Sequence, residues 1–355
     1  MSGVSKVFWG IFLSLFISFC VKAKVSGPCA NCHTMHNYQG GELVSANGTR
    51  PFLLKDSCAG CHTNSSGSEV IVTMGEVTKV PIVNTASEPL TSLAGGNFYW
   101  VREQGDRKGH NCLSIPGISE DQTLTEAPGK PTSASGTSCA GCHDRISGCE
   151  SCHSPHHHAD DSAPVVGEEG GWYRFLNSSY HGTNSTGVKG IEDDDWEYTV
   201  SSSDHNEYNG CNNPYGNEDN SMSNYCAGCH QQFHGINYTD TDGNVVYDNQ
   251  SPWFRHPTHL ALPDDPDKEY YYYNNPGGSG PGSYNPLVPV ARDPDELSTM
   301  TGPSSVVTPG KDQVMCLSCH RAHASPYDHL LRWDYDGWPG NGEANGCSVC
   351  HTAKD

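Results

Sequence analysis

The sequence predicts a coil-rich fold with short helices, a few short strands and an interior filled by something other than aliphatic side chains. Three observations predict it. The chain of 355 residues holds 39 Gly and 23 Pro against only 35% hydrophobic residues, too few for an apolar core of ordinary size at that length. Of its 17 cysteines, 14 fall in seven C-x-x-C-H motifs, and of its 19 histidines, 12 lie outside those motifs.

The motifs are Cys29-Cys32-His33, Cys58-Cys61-His62, Cys139-Cys142-His143, Cys149-Cys152-His153, Cys226-Cys229-His230, Cys316-Cys319-His320 and Cys347-Cys350-His351. In C-x-x-C-H the two thiols can add across the two vinyl groups of one haem, while the adjacent histidine reaches the iron from one face. A single motif is a weak signal, because C-x-x-C also serves zinc and dithiol redox sites. Seven of them, every pair followed directly by His, leave the zinc reading without a reason for that histidine. The motifs therefore call for seven haem c groups, with His33, His62, His143, His153, His230, His320 and His351 as proximal ligands. At roughly 47 residues per haem there is too little protein to isolate each cofactor, so the haems must pack together as the core.

Taken in order, residues 1–23 read as a secretory signal: Lys6 supplies the basic start, Val7 to Val21 the apolar stretch and Ala23 a small residue suited to cleavage. The 15 apolar residues are too few to span a bilayer comfortably, so no integral span is expected after cleavage. Cys20 raises the alternative of lipidation, but the large Phe19 precedes it where a small residue is expected. Residues 24–355 are expected to form one heptahaem domain. Its net charge moves from −21 to −23 when Lys6 and Lys22 leave with the signal, which excludes nucleic acid as a partner.

Residues 69–83 alternate apolar and polar with many β-branched side chains and predict a hairpin. Residues 84–138 read as Gly, Ser, Thr and Pro-rich loops, and the acidic, Asn-rich interval 154–225 reads as a surface wrap rather than core. Tyr270 to Tyr273 are expected to pack within a loop, and the segment NPGGSGPGSYNP is expected to lack regular structure. Ser325-Pro326 before YDHLLRW resembles a helix start with Pro at the first helical position. Of the three remaining cysteines, Cys112 and Cys211 are candidates for a disulfide in an oxidising compartment, with two unrelated buried thiols as the alternative.

Each iron needs a second axial ligand, and the 12 spare histidines make bis-histidine coordination the economical arrangement, with low potentials. Met35, Met74, Met222, Met300 and Met315 are expected to be packing residues. His36, His156 and His323 lie three residues beyond a motif histidine and His234 four beyond. On one helical turn two imidazoles project to the same side, so such a histidine must serve a neighbouring haem. His259 and His329 are assigned no ligand role.

CANCHTMH, CESCHSPHHHADDS and CLSCHRAHASPYDHLLRWDYDG resemble the doubled C-x-x-C-H multihaem c-type cytochromes of metal-reducing bacteria, some of which work at the cell surface or polymerise into conductive filaments. The similarity extends over GGNFYWV with GHN, over SYHGT to VKGIEDDDWEY, and over SPWFRHPTHLAL to YNPLVPVARDPD, hence most of the chain after the signal. It implies His36, His110, His181, His234, His256 and His323 as distal ligands, with His157 or His158 as the seventh and His205 in reserve. Two departures are Cys112, just after GHN, and His259, a second histidine in the RHPT segment.

The expected function is electron relay through closely packed bis-histidine haems towards an extracellular or periplasmic acceptor such as Fe(III) or another metal oxide. Other redox proteins are the expected partners, and self-association into filaments is compatible with the same reading. The expected location is exported: periplasm, outer surface or extracellular space. The alternative is a multihaem enzyme of the nitrite or hydroxylamine type, which needs one open iron; no motif carries Lys in place of its final His, and the histidine surplus argues against an open site. Replacing His157 and His158 together should convert one low-spin haem to high spin in the EPR spectrum; a spectrum that stays fully low-spin would remove both from the ligand set.

Overall fold

The computed structural model describes residues 27–46, 48–49, 53–124, 127–128, 146–157, 163–167, 171–176, 187–211, 220–227, 229–230, 237–239, 245–247, 258, 260–337 and 345–353. The signal segment with Cys20, the motif Cys139-Cys142-His143, and His158, His181, His234, His256 and His259 lie outside the described residues.

Most of the described chain is coil. Helical turns sit where the motifs are: Cys29–Asn31, Cys58–Cys61, Cys149–Ser151, Met222–Ala227, Cys316–Cys319 and Cys347–Cys350. One turn brings both cysteines of a C-x-x-C pair to the same face. The turn at Cys58 is capped by Ser57, whose hydroxyl accepts from the Gly60 amide at 3.1 Å.

Thirteen short strands are described. β1 (Tyr38–Gln39) and β2 (Glu42–Leu43) form a hairpin beside the first motif. β3 (Thr63–Asn64) runs parallel to β6 (Asn84–Thr85), and between them β4 (Ile71–Met74) and β5 (Thr78–Pro81) make the antiparallel hairpin that the alternation over 69–83 predicts. β9 (Asn237–Thr239) pairs with β10 (Val245–Tyr247). The largest sheet has the order β11 (Leu260–Ala261), β13 (Gln313–Val314), β12 (Ala291–Arg292), β8 (Glu207–Asn209), β7 (Gly190–Ile191), antiparallel except for the parallel β12–β8 pair.

That sheet corrects the reading of 154–225 as a surface wrap. Glu207, Tyr208 and Asn209 are all buried, as are Val188, Ile191, His205 and Asn206. The acidic and amide side chains are inside because they are paired. Arg292, fully buried, places Nε 2.6 Å from Glu207 Oε2 and Nη2 3.0 Å from Oε1, and its Nη1 is 3.0 Å from Asp312 Oδ2. The Ser304 amide (2.7 Å) and His205 Nε2 (3.1 Å) also reach Glu207 Oε1. Burial opposes ionisation of Glu207, but these bonds from His205 and Arg292 win and hold its carboxyl below the usual range. Composition signals polarity, and here the polarity is internal.

Two other expectations change. Within 84–138, Tyr99–Gln104 is a helix that buries Trp100 and Val101, and the single turn is stabilised by packing on Ala324 rather than by propensity. Over residues 327–333 there is no α-helix, only a short turn, Asp328–Leu330, with His329 and Leu330 at φ near +61°. Its carbonyls are taken by the motif at Cys316, as described below. The NPGGSGPGSYNP segment has no helix or strand. Tyr273 is fully buried, its hydroxyl donating to Val288 O at 2.6 Å, which agrees with loop packing for the tyrosine run. Met222 and Met315 are core residues, whereas Met35 is 72% exposed and packs against little.

Four apolar clusters are described, and three abut motif cysteines. Tyr208, Met222, Met315 and Leu317 pack with Cys226; Tyr273, Tyr284, Trp333 and Val349 with Cys319, Cys347 and Cys350; Ala59, Phe98, Cys112 and Ile115 with Cys149. Among the described residues there are several partial walls instead of one core, three of them ending at motif cysteines. Removing the Arg292 guanidinium (Arg292→Ala) would strand two buried carboxylates and should cost about 3–5 kcal/mol, read as a lower denaturant midpoint; an unchanged midpoint would mean that the cluster is solvated.

Candidate haem sites

Five of the six described motif histidines share a local device. His62 Nδ1 donates to Pro81 O (2.7 Å), His153 Nδ1 to Arg174 O (2.8 Å), His230 Nδ1 to Pro128 O (2.7 Å) and His320 Nδ1 to His329 O (2.7 Å). His351 Nδ1 instead donates to the Glu269 carboxylate at 3.0 Å. The sixth, His33, has its backbone bridged to Leu54. A proton committed at Nδ1 leaves the Nε2 lone pair available, which is the tautomer a metal needs.

At two motifs the device has the same construction. Arg174 and Phe175, and again His329 and Leu330, are consecutive residues with φ between +46° and +61°. The first of each pair presents its carbonyl to the motif histidine. The second accepts the amide of the following residue: Ser154 N to Phe175 O at 2.8 Å, Arg321 N to Leu330 O at 2.8 Å. Left-handed backbone at non-glycine residues costs energy and persists where the surroundings over-determine it. Here two hydrogen bonds to a motif do so.

The second set of histidines is positioned by a web around Ala324, which is fully buried. Ala324 bridges both Gly96 and Gly109; the His323 amide donates to Gly95 O (2.7 Å), the His110 amide to His323 O (3.0 Å) and Ser325 N to Lys108 O (3.0 Å). His110 Nδ1 donates to Ala322 O at 2.8 Å. Two nearby segments, at residues 95–96 and 108–110, and a third more than two hundred residues on thus fix two imidazoles. Gly96 is at φ +87°, and a Cβ there would lie 1.9 Å from Ala324 O.

These imidazoles face motif histidines. The His153 and His323 ring centroids are 6.1 Å apart at an interplanar angle of 64°, and those of His110 and His230 are 6.1 Å apart at 45°. Two imidazoles bound to opposite sides of one metal, with bonds of about 2 Å, would have centroids roughly 6 Å apart. The donor set therefore fits haem in chemistry and spacing: thiols on one face of a turn, a free Nε2, and an opposing ring. His323 Nδ1 is buried without a hydrogen-bond partner. Burial lowers His323 to about 3 and His110 to about 4, keeping both rings neutral and able to ligate.

His323, three residues beyond His320, faces His153 of another motif, as the same-side argument requires. His36 is at φ +51° in the turn before β1. His156 lies 6.3 Å from the Trp172 ring and His157 5.5 Å, edge-on, from Phe175. His205 stacks on Tyr284 at 3.6 Å and faces oxygens with both nitrogens, Ser201 O at 3.0 Å and Glu207, which leaves no lone pair for a metal. Exposed His329 Nε2 is 3.3 Å from Arg107 Nη2, so its contribution is its carbonyl. Cys112 is a free thiol linked through Ser114 Oγ (3.4 and 3.5 Å) to Cys149, not to Cys211, so the proposed disulfide is absent. Cys211 is held by the Gln313 side chain, which bonds its amide and carbonyl at 2.9 and 2.8 Å.

The thiols of successive motifs are neighbours. Cys61 is within electrostatic reach of Cys32, Cys58 interacts with Cys149, Cys152 with Cys229, Cys226 with Cys316, and Cys319 with Cys350 and Cys347. The described motifs thus form an unbroken succession of first, second, fourth, fifth, sixth and seventh. Burial pushes Cys152 up to about 11 and Cys319 and Cys350 to about 12, which describes dry attachment points. Replacing Gly96 by Ala should push Ala324 away and lower stability by on the order of 1–3 kcal/mol, with a fraction of ferric haem turning high-spin as His323 shifts; thermal melts and EPR read both.

Residues 308–355 match the doubled CXXCH motif family. The chain is 25% identical over 379 residues to the C-type cytochrome OmcS of Geobacter sulfurreducens, covering 91% of this chain and 82% of the relative. Its fold is similar to that of the Outer Membrane Cytochrome S filament from Geobacter sulfurreducens, with a TM-score of 0.56, 23% identity, and coverage of 88% of this chain and 85% of that one. The segment 308–355 thus matches the doubled CXXCH motif, and over most of its length the chain is similar in sequence and fold to a C-type cytochrome.

Proposed function

We propose that the protein is a heptahaem c-type cytochrome that relays electrons through bis-histidine haems towards an extracellular or periplasmic acceptor, metal oxides among them. The observation that carries the reading is the opposed imidazole pairs at 6.1 Å, His153 with His323 and His110 with His230. Both faces of such an iron are taken, so it passes electrons and binds no substrate. When bound, the haems supply one-electron chemistry. The chain's part is to fix them: thioethers at the motif cysteines, a proximal histidine oriented through Nδ1, and a distal histidine brought from another motif's neighbourhood. His36, His181, His234 and His256, with either His157 or His158, are the proposed ligands for the five remaining irons.

The succession of neighbouring thiols from Cys32 to Cys350 supports a continuous relay, since each described motif has a next one within electrostatic reach. Among the described residues no helix is long and apolar enough to cross a membrane. The curated relative is a C-type cytochrome and the similar solved structure is a filament, which favours an outer-surface location and assembly of this chain into filaments as part of the same reading.

Intact mass of the holoprotein should equal the processed chain plus seven haems, and oxidised EPR should show only low-spin ferric iron. In His323→Ala the haem attached at Cys149 and Cys152 should become high-spin, while the others stay low-spin. A substantial high-spin signal in the wild type would favour the enzyme reading instead.

A further inference from the structure

Four of the five Nδ1 bonds described for motif histidines end on backbone carbonyls; the fifth, from His351, ends on a carboxylate. Glu269 is not a passing surface contact. Its Oε1 accepts from His351 Nδ1 at 3.0 Å, and its Oε2 is 3.3 Å from the Ala353 amide. Its backbone carbonyl accepts from Thr352 Oγ1 at 2.9 Å. The turn Glu269–Tyr272 packs on the helix Cys347–Cys350, and the Tyr270 ring meets the His351 ring edge-on at 5.1 Å. The two side chains are only 16% and 15% exposed, so water competes weakly for the bond.

We infer that Glu269 is a tuning residue for the C-terminal haem: by drawing the His351 Nδ1 proton it lowers that haem's reduction potential below the value a carbonyl partner would set. The inference rests on His351 being an axial ligand. A carbonyl takes the Nδ1–H bond without bringing net charge. A carboxylate pulls the proton further, adds imidazolate character and makes Nε2 a stronger donor. A stronger donor, with a negative charge close by, stabilises ferric over ferrous iron. The haem at Cys347 and Cys350 is thereby biased to pass an electron on to its neighbour at Cys316 and Cys319. Nothing in the C-x-x-C-H spacing distinguishes this haem from the others; the difference comes from a side chain 82 positions away.

The test is a spectroelectrochemical titration of the purified holoprotein and of Glu269→Gln and Glu269→Asp, with EPR and peptide mass spectrometry of each. Glutamine keeps a hydrogen-bond acceptor and the backbone bond to Thr352 but removes the charge, so one step of the reductive titration should move to higher potential with all haems still low-spin. Aspartate restores the charge, and that step should return towards the wild-type position. A purely structural role for Glu269 predicts a titration unchanged in Glu269→Gln, and that result, or a shift to lower potential, overturns the inference while leaving the relay intact. A wild-type peptide at Cys347–Cys350 without haem overturns the reading on which it rests.

Discussion

An imidazole has two nitrogens, and the organisation of this chain follows from how one of them is spent. The proton on Nδ1 goes to a fixed oxygen, and the ring is then oriented with Nε2 towards the place a metal would occupy. The oxygens come from Pro81, Arg174, Pro128, His329 and Glu269. None of these has a side-chain identity that all the others share. The coil that dominates the fold is therefore not slack: at Pro128, Arg174 and His329 it presents carbonyls that a regular helix or strand interior, with its carbonyls already engaged, would not offer.

The paired left-handed residues at Arg174–Phe175 and His329–Leu330 show the same economy. Strain is accepted at two positions so that one carbonyl meets a ring and the next meets an amide. The Ala324 web solves the complementary problem for His110 and His323. Glycines at 95, 96 and 109 let three backbones approach closely enough for direct bonds, where side chains would have held them apart.

The protein-only part of the interior is polar in one place and apolar in several small ones. Arg292 with Glu207, Asp312 and His205 forms a buried set held by direct hydrogen bonds, and such sets specify an arrangement more than they stabilise it. It lies in the sheet whose neighbouring residues Tyr208, Met315 and Leu317 pack with Cys226. A rigid, register-specific sheet next to an attachment site keeps the fifth and sixth motifs adjacent, and the Cys226–Cys316 contact is the result.

What the sequence by itself determined is local and covalent: the seven motifs, the cofactor they call for, the short helical turns, the hairpin at 71–81 and the rule that His323 must serve a haem other than its own. These follow from spacing along a chain a few residues long, where geometry is nearly fixed. The tertiary structure alone decided which ring opposes which. His153 meets His323 across 170 positions and His110 meets His230 across 120, and many pairings satisfy the same histidine count. It also placed part of an acidic, Asn-rich interval, residues 206–209 among it, inside the molecule, because partners such as Arg292, 85 positions from Glu207, are invisible to composition. At Pro326, two carbonyl bonds to the motif just before it outweigh a helix start. Motif chemistry is written in consecutive residues, while the second ligand and the oxygen behind each ring depend on loop closures whose outcome only the folded chain contains.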